Sequence, residues 1–182
     1  NLQFIKRLTQ ELEVLENLIE SETLEDFGRI GAEQEFCILD NNFRANPINK
    51  KILKPISKEG FVTEIAKFNM ELNVEPLSIN KACLRKLENT LLKKMKIVSN
   101  YAEKHDSKVI LTGILPTVRK HDLRFENITP NPRYFELCES INKIRGKNYK
   151  LRIRGADELV FEHDSPLVEG CNTGYQFHLQ IG

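Results

Sequence analysis

Residues 29–39 read Arg-Ile-Gly-Ala-Glu-Gln-Glu-Phe-Cys-Ile-Leu, and their period is two: Ala32, Phe36 and Ile38 share one parity, Glu33, Glu35 and Cys37 the other. The spacing predicts a strand with one apolar face and two carboxylates on the opposite face. Asp40-Asn41-Asn42 supplies turn chemistry after it. A second run repeats the pattern. Phe68, Met70, Leu72 and Val74 alternate with Asn69, Glu71, Asn73 and Glu75, and Pro76, which lacks an N–H for a ladder, is expected to close the strand. A third run alternates Phe177, Leu179 and Ile181 with Gln176, His178 and Gln180.

Between these strands the period changes. Ile5, Leu8, Leu12, Leu15 and Ile19 recur at spacings of three and four, the apolar seam of a helix over residues 2–19. That seam is expected to pack on its own domain or a neighbour, with a short coiled coil as the other use. Pro47, Pro55 and Gly60 punctuate an expected loop. Ser78 is the expected N-cap of a long helix whose stripe is Ile79, Cys83, Leu87, Leu91, Met95, Val98 and Ala102, with Lys86, Lys93, Lys94 and Lys96 on the wet side. Val109 to Leu115 reads as a strand buried on both faces and stopped by Pro116. Asn131-Pro132 has the N-cap and N1 residues of a further helix running through Phe135, Leu137 or Cys138, and Ile141 to Ile144. Tyr149, Leu151 and Ile153 then alternate with Lys150, Arg152 and Arg154 as another strand. The expected class is α+β: a largely antiparallel sheet with helices packed on one face.

Composition bounds the function. The chain has 182 residues, 27 basic and 26 acidic side chains and a net charge of +1. That balance gives no broad attraction to phosphate backbones or anionic lipid, so nucleic acid and membrane are not expected partners. A chain of this length buries about 70% of its unfolded surface, so its core needs no staples. No apolar run is long enough to span a bilayer, and the first residues lack a signal-peptide pattern, so a cytoplasmic location is expected. Cys37, Cys83, Cys138 and Cys171 lie far apart with no Cys-x-x-Cys pair and are expected to be reduced, buried thiols. The chain starts at Asn1 and stops at Gly182 straight after a patterned strand, and reads as a piece of a longer protein. Composition and periodicity mark no domain boundary before Gly182.

The face opposite the apolar one carries the chemistry: Glu33 and Glu35, then Glu71, Asn73 and Glu75, then Gln176, His178 and Gln180. Carboxylates two apart on a strand share a face at about 6.5–7 Å, and like charges across strands repel unless a cation or water compensates. Hard divalent cations take oxygen ligands and are held by a few carboxylates together with substrate phosphates. A solvated face of an antiparallel sheet shows the same pattern, so periodicity alone leaves both readings open.

Three patches in order add to this. Gly31-Ala32-Glu33-Gln34-Glu35 resembles the Gly-x-Glu-x-Glu opening strand of glutamate-cysteine ligases, within the glutamine synthetase-like carboxylate-amine ligases. Residues 63–76, Thr-Glu-Ile-Ala-Lys-Phe-Asn-Met-Glu-Leu-Asn-Val-Glu-Pro, resemble that family's second acidic strand, and Gly174-Tyr175-Gln176-Phe177-His178-Leu179 its Gly-x-His-x-His strand. Thr112-Gly113-Ile114-Leu115-Pro116 and Arg133-Tyr134 also look like family landmarks, so the resemblance spans residues 29–182, read as the N-terminal part of the family's catalytic domain with its curved sheet, and leaves the amphipathic helix of residues 1–28 outside it. The resemblance implies a glutamine synthetase-like catalytic domain whose inner sheet face holds Mg²⁺ or Mn²⁺ against ATP through Glu33, Glu35, Glu71, His178 and Glu64, with Gln176 and Glu75 as cofactor-binding positions. It implies small-molecule carboxylate and amine substrates joined as an amide through an acyl phosphate, and a homo-oligomer as one option. A catalytically silent nucleotide- or amino-acid-binding sensor or scaffold module is the other reading.

Two departures stand out. Gln176 occupies the place of the family's first His, and an amide oxygen is a weaker ligand than imidazole for most divalent metals. Glu64 has the opposite parity to Glu71 and needs a bulge or turn to reach the same face. Arg133, Arg152 and Arg154 are candidates for phosphate or carboxylate contacts, although exposed arginines more often form surface pairs. His163-Asp164-Ser165 is contiguous, so its side chains diverge and make no triad. Cys171 has no base at a readable spacing and is not taken as a nucleophile.

Overall fold

A computed structural model describes residues 2–21, 27–146 and 149–180. Strand β1 (Arg29–Asp40) is the spine. Along one edge it pairs antiparallel with β3 (Asn69–Ser78), which pairs in turn with the short β2 (Phe61–Thr63). Its other edge is shared: β7 (Tyr175–Leu179) takes Ile30 to Gln34, and β4 (Ser107–Ile110) takes Cys37 to Asp40. Of the two residues between them, Glu35 donates its N–H to the Gly174 carbonyl. The result is a mixed α+β fold around an antiparallel sheet that does not close.

The apolar parity of β1 and β3 builds the main core, as the alternation predicts. Phe36, Ile38, Met70 and Leu72 are buried against Ile52 and Ile56 of α2 (Asn49–Ile56) and Val98 and Ala102 of α3 (Cys83–Glu103). A second cluster forms around the turn between β2 and β3. Ala66 and Phe68 pack there with Leu123, Ile128, Cys138 of α4 (Pro132–Arg145), Leu167 of α5 (Leu167–Gly170) and Cys171. All four cysteines are free and buried, as expected.

Several local expectations are corrected. The segment between Pro47 and Gly60 is not a loop throughout but contains α2, whose Asn49, Ile52 and Ile56 fall on one buried side; Pro55 sits in its last turn. Pro76 does not end β3. The ladder slips between Ile30 and Ala32, placing one extra residue on the β3 side, and within that bulge a missing N–H costs little. Ser78 therefore belongs to the strand, and the long helix starts five residues later, with Asn80 Oδ1 accepting the Ala82 N–H and Ile79 left exposed. The run 109–115 is not a doubly buried strand: β4 stops at Ile110, Leu111 and Ile114 are exposed, and Thr173 takes up the Thr112 and Gly113 carbonyls.

Helix α4 starts as predicted, with Asn131 accepting the Arg133 N–H, but buries Cys138 while Leu137 and Ile144 face solvent. Among the described residues, strand β5 (Tyr149–Arg154) pairs only with β6 (Glu158–His163), an unexpected strand, as a separate two-stranded sheet. Helix α1 (Leu2–Glu20) has the predicted period but buries nothing, so packing on its own domain is not found. Phe177 and Leu179, the apolar side of β7, are also exposed, and Ile181 lies outside the described residues.

Candidate metal centre on the acidic sheet face

Antiparallel register decides which side chains meet, because residues directly opposite each other share a face. Across β7, β1 and β3, one row is Gln176, Glu33 and Asn73; the next carries Glu35 opposite Glu71; on the other side of Glu33, Gly31 faces His178. The strand face predicted for Glu33, Glu35, Glu71, Gln176 and His178 is thus a single face.

Glu64 joins them. Val62 pairs with Glu71, and Glu64 lies two residues beyond Val62, so it returns to the Glu71 side of the sheet. Counting parity straight through the chain misplaces it, since the 64–68 turn reverses direction and resets the count. Glu35, Glu64 and Glu71 each offer an oxygen, all within 4.8 Å of one another, and all three are half-buried. Gln176 and His178 border this group; Glu75 does not enter it, because it lies exposed in the bulge and lines a cavity with Thr90 and Lys94 of α3.

Each carboxylate is oriented by a donor. Gly174 N–H gives 2.6 Å to Glu35 Oε2, Asn73 Nδ2 gives 2.7 Å to Glu71 Oε1, and the Ile65 N–H reaches Glu64 Oε2 at 3.3 Å. Gly174 is itself tied back to β1 by Gln34 Nε2. His178 Nε2 lies 3.3 Å from Glu33 Oε2. The Tyr134 hydroxyl donates to the Thr63 carbonyl next to Glu64, which brings the first turn of α4 up to the site.

The electrostatics follow. Burial, reinforced by the charges of Glu71 and Glu35, pushes Glu64 up to about 7. Glu71 is also raised, first by burial and then by Glu33 and Glu35, with the Asn73 amide and His178 acting the other way. Among the described residues, no lysine or arginine forms an ion pair with Glu35, Glu64 or Glu71. An all-oxygen set of three clustered carboxylates, each with a second oxygen in reserve, has the chemistry that a hard divalent cation takes. The residues present fit Mg²⁺ or Mn²⁺.

Other candidates are placed elsewhere. Arg152 and Arg154 both pair with Glu158 inside the β5–β6 hairpin. His163 is buried, with Nδ1 accepting the Ser165 N–H and lying 3.5 Å from Asp164 Oδ1, and Nε2 against the Lys120 carbonyl; the Ser165 hydroxyl accepts the Leu167 N–H instead of meeting the ring. Cys171 and Cys37 are pushed up to about 11 by burial and are poor nucleophiles. Thr129, whose hydroxyl bonds the Glu64 carbonyl, and Asn49, which bonds Thr129, are both buried and were not singled out by sequence; a lone Asn in a loop-like stretch carries no periodic signal.

Among the described residues, no helix is long and apolar enough to cross a membrane. Comparison with curated proteins and with solved structures finds no match. A family model does match, over residues 29–161, from the first residue of β1 into β6, leaving α1 before it and β7 with Gln176 and His178 after it. With Glu33, Glu35, Glu64 and Glu71 all inside that match and gathered on one sheet face, the chain belongs to glutamate-cysteine ligase family 2.

Proposed function

We propose that this chain supplies the metal-binding sheet face of an ATP-dependent carboxylate-amine ligase, of which a glutamate-cysteine type is the nearest reading. The observation that carries it is the convergence of Glu35, Glu64 and Glu71 within 4.8 Å, with Glu33 and His178 alongside. In the reaction a substrate carboxylate attacks the γ-phosphate of ATP to give an acyl phosphate, and an amine then displaces phosphate to form the amide. A bound divalent cation would neutralise charge between the phosphates and the attacking carboxylate and align them.

The chain's own residues hold and shape that site. Glu35, Glu64 and Glu71 are the ligands, fixed by Gly174, Ile65 and Asn73. Glu33 and His178 flank them, and Gln176, opposite Glu33 in the ladder, is the neutral cofactor-binding position. Tyr134, through its bond to the Thr63 carbonyl, and the second hydrophobic cluster, through Ala66 and Phe68, back the turn that carries Glu64.

The test is metal-dependent nucleotide binding. ATP should bind with Mn²⁺ present and lose that dependence in Glu35→Gln and Glu71→Gln. Binding indifferent to Mn²⁺ would overturn the site. Phosphate release that requires both glutamate and an amine, measured across an amine panel, reads out ligation; Mn²⁺-dependent nucleotide binding with silence across the panel would favour a binding module.

A further inference from the structure

Glu64 sits in the turn between β2 and β3, with a carboxylate oxygen within 4.8 Å of those of Glu35 and Glu71. Such a turn keeps its place only if its backbone is tied down elsewhere. Two buried polar side chains do this. Asn49, 1% exposed at the start of α2, donates its amide to the Ala66 carbonyl at 3.2 Å, the Asn69 carbonyl at 3.2 Å and Thr129 Oγ1 at 2.8 Å. Its backbone N–H reaches the Lys67 carbonyl. Thr129, 0% exposed, passes the chain of bonds on: its hydroxyl donates at 2.6 Å to the carbonyl of Glu64 itself.

The other side of the turn is held as well. Thr129 N–H donates to the Ile65 carbonyl, Lys67 N–H to the Asn127 carbonyl, and Ala66 forms a bridge with Ile128. Two amide protons serving three acceptors, and a hydroxyl that both accepts and donates, make a polar network whose donors are all engaged at its hub. Every bond ends on the turn or on the residue that grips it.

We propose that Thr129, backed by Asn49, is a positioning residue for Glu64, fixing the turn so that the Glu64 carboxylate stands beside Glu35 and Glu71 before any ion arrives. The proposal rests on the metal-site reading above. It assigns to a buried hydroxyl outside the sheet the preorganisation that a carboxylate cluster otherwise lacks.

The test is a Mn²⁺ titration, read by the loss of the free-ion electron paramagnetic resonance signal, on wild type, Thr129→Val, Thr129→Ser, Glu64→Gln and the double variant Thr129→Val/Glu64→Gln. Thr129→Val should weaken Mn²⁺ binding about tenfold, as removing groups that orient metal ligands does. Thr129→Ser, which keeps the hydroxyl, should recover most of it. In the Glu64→Gln background the valine should cost less than twofold, because the side chain it positions no longer carries a charge; an equal loss in both backgrounds would make Thr129 merely structural and overturn the proposal.

Undiminished binding by Thr129→Val would overturn it too, while leaving the metal site standing; a wild type that binds no Mn²⁺ removes the site and the proposal together. Amide exchange in wild type supplies the check that needs no variant. The Lys67, Asn69 and Thr129 amides should already be protected without metal, and fast exchange that slows only on adding Mn²⁺ would show a turn ordered by the ion instead.

Discussion

His178 Nε2 lies 3.3 Å from a carboxylate oxygen of Glu33, although the ladder sets His178 opposite Gly31 and Glu33 opposite Gln176. The pair is a diagonal one, within reach of a long side chain across neighbouring rows. Under the proposed metal site, His178→Ala should weaken Mn²⁺ binding about tenfold. Its ring is half exposed, so the same change should shift stability by less than about 0.5 kcal/mol. Equal Mn²⁺ affinity in variant and wild type would remove His178 from the site.

Glu64, pushed up to about 7, makes stability depend on pH in a definite sense. Below the ordinary carboxylate range, folded and unfolded chains both hold the proton. As pH rises toward 7 the unfolded chain releases it first, the folded state binds more protons, and stability falls, levelling off above 7. The loss should be on the order of 1–2 kcal/mol after allowing for solvent around a half-buried group. Urea midpoints at pH 5 and pH 8 for wild type and Glu64→Gln check it: the difference between the two proteins should widen in favour of Gln at pH 8, and a constant difference would contradict the burial of this charge.

Gly60 opens β2 with φ +88°, and a Cβ there would stand 2.5 Å from the Asn73 carbonyl oxygen, while its own carbonyl accepts the Asn73 N–H. Neither backbone can yield without opening the β2–β3 hairpin that carries Glu64 and Glu71. Gly60→Ala should cost about 2–4 kcal/mol in urea unfolding. A cost below about 0.5 kcal/mol would mean that the hairpin is free to shift.

The α1 seam stands in solvent, with Leu8 44%, Leu12 51% and Leu15 48% exposed. Leu8→Lys with Leu12→Lys should therefore leave the unfolding midpoint of the β1–β7 sheet unchanged within about 0.5 kcal/mol. A larger drop, measured by urea denaturation, would show that the seam packs on this domain after all.

Sequence by itself determined the faces of the strands. Glu33 and Glu35 alternate with Ala32, Phe36 and Ile38, and Glu71 and Asn73 with Met70 and Leu72, because side-chain parity along a strand is a local property that needs no partner. The Asn131 cap of α4 and the α3 stripe from Cys83 to Ala102 were legible for the same reason, as spacing and capping chemistry act within a few residues. What lay beyond local rules was decided by tertiary structure. Helix α2 forms in a Pro-marked stretch because Ile52 and Ile56 gain burial only against β1, β3 and α3. Pro76 stays in β3 because a bulge against Ile30 and Ala32 absorbs it, and the 109–115 run stops short because β7 and Thr173 occupy the edge it would have used. Glu64 is the clearest case: its parity along the chain sets it against Glu71, and only the reversal at 64–68, clamped by Asn49 and Thr129, turns it onto the same face, since a turn's register is fixed by contacts far apart in sequence.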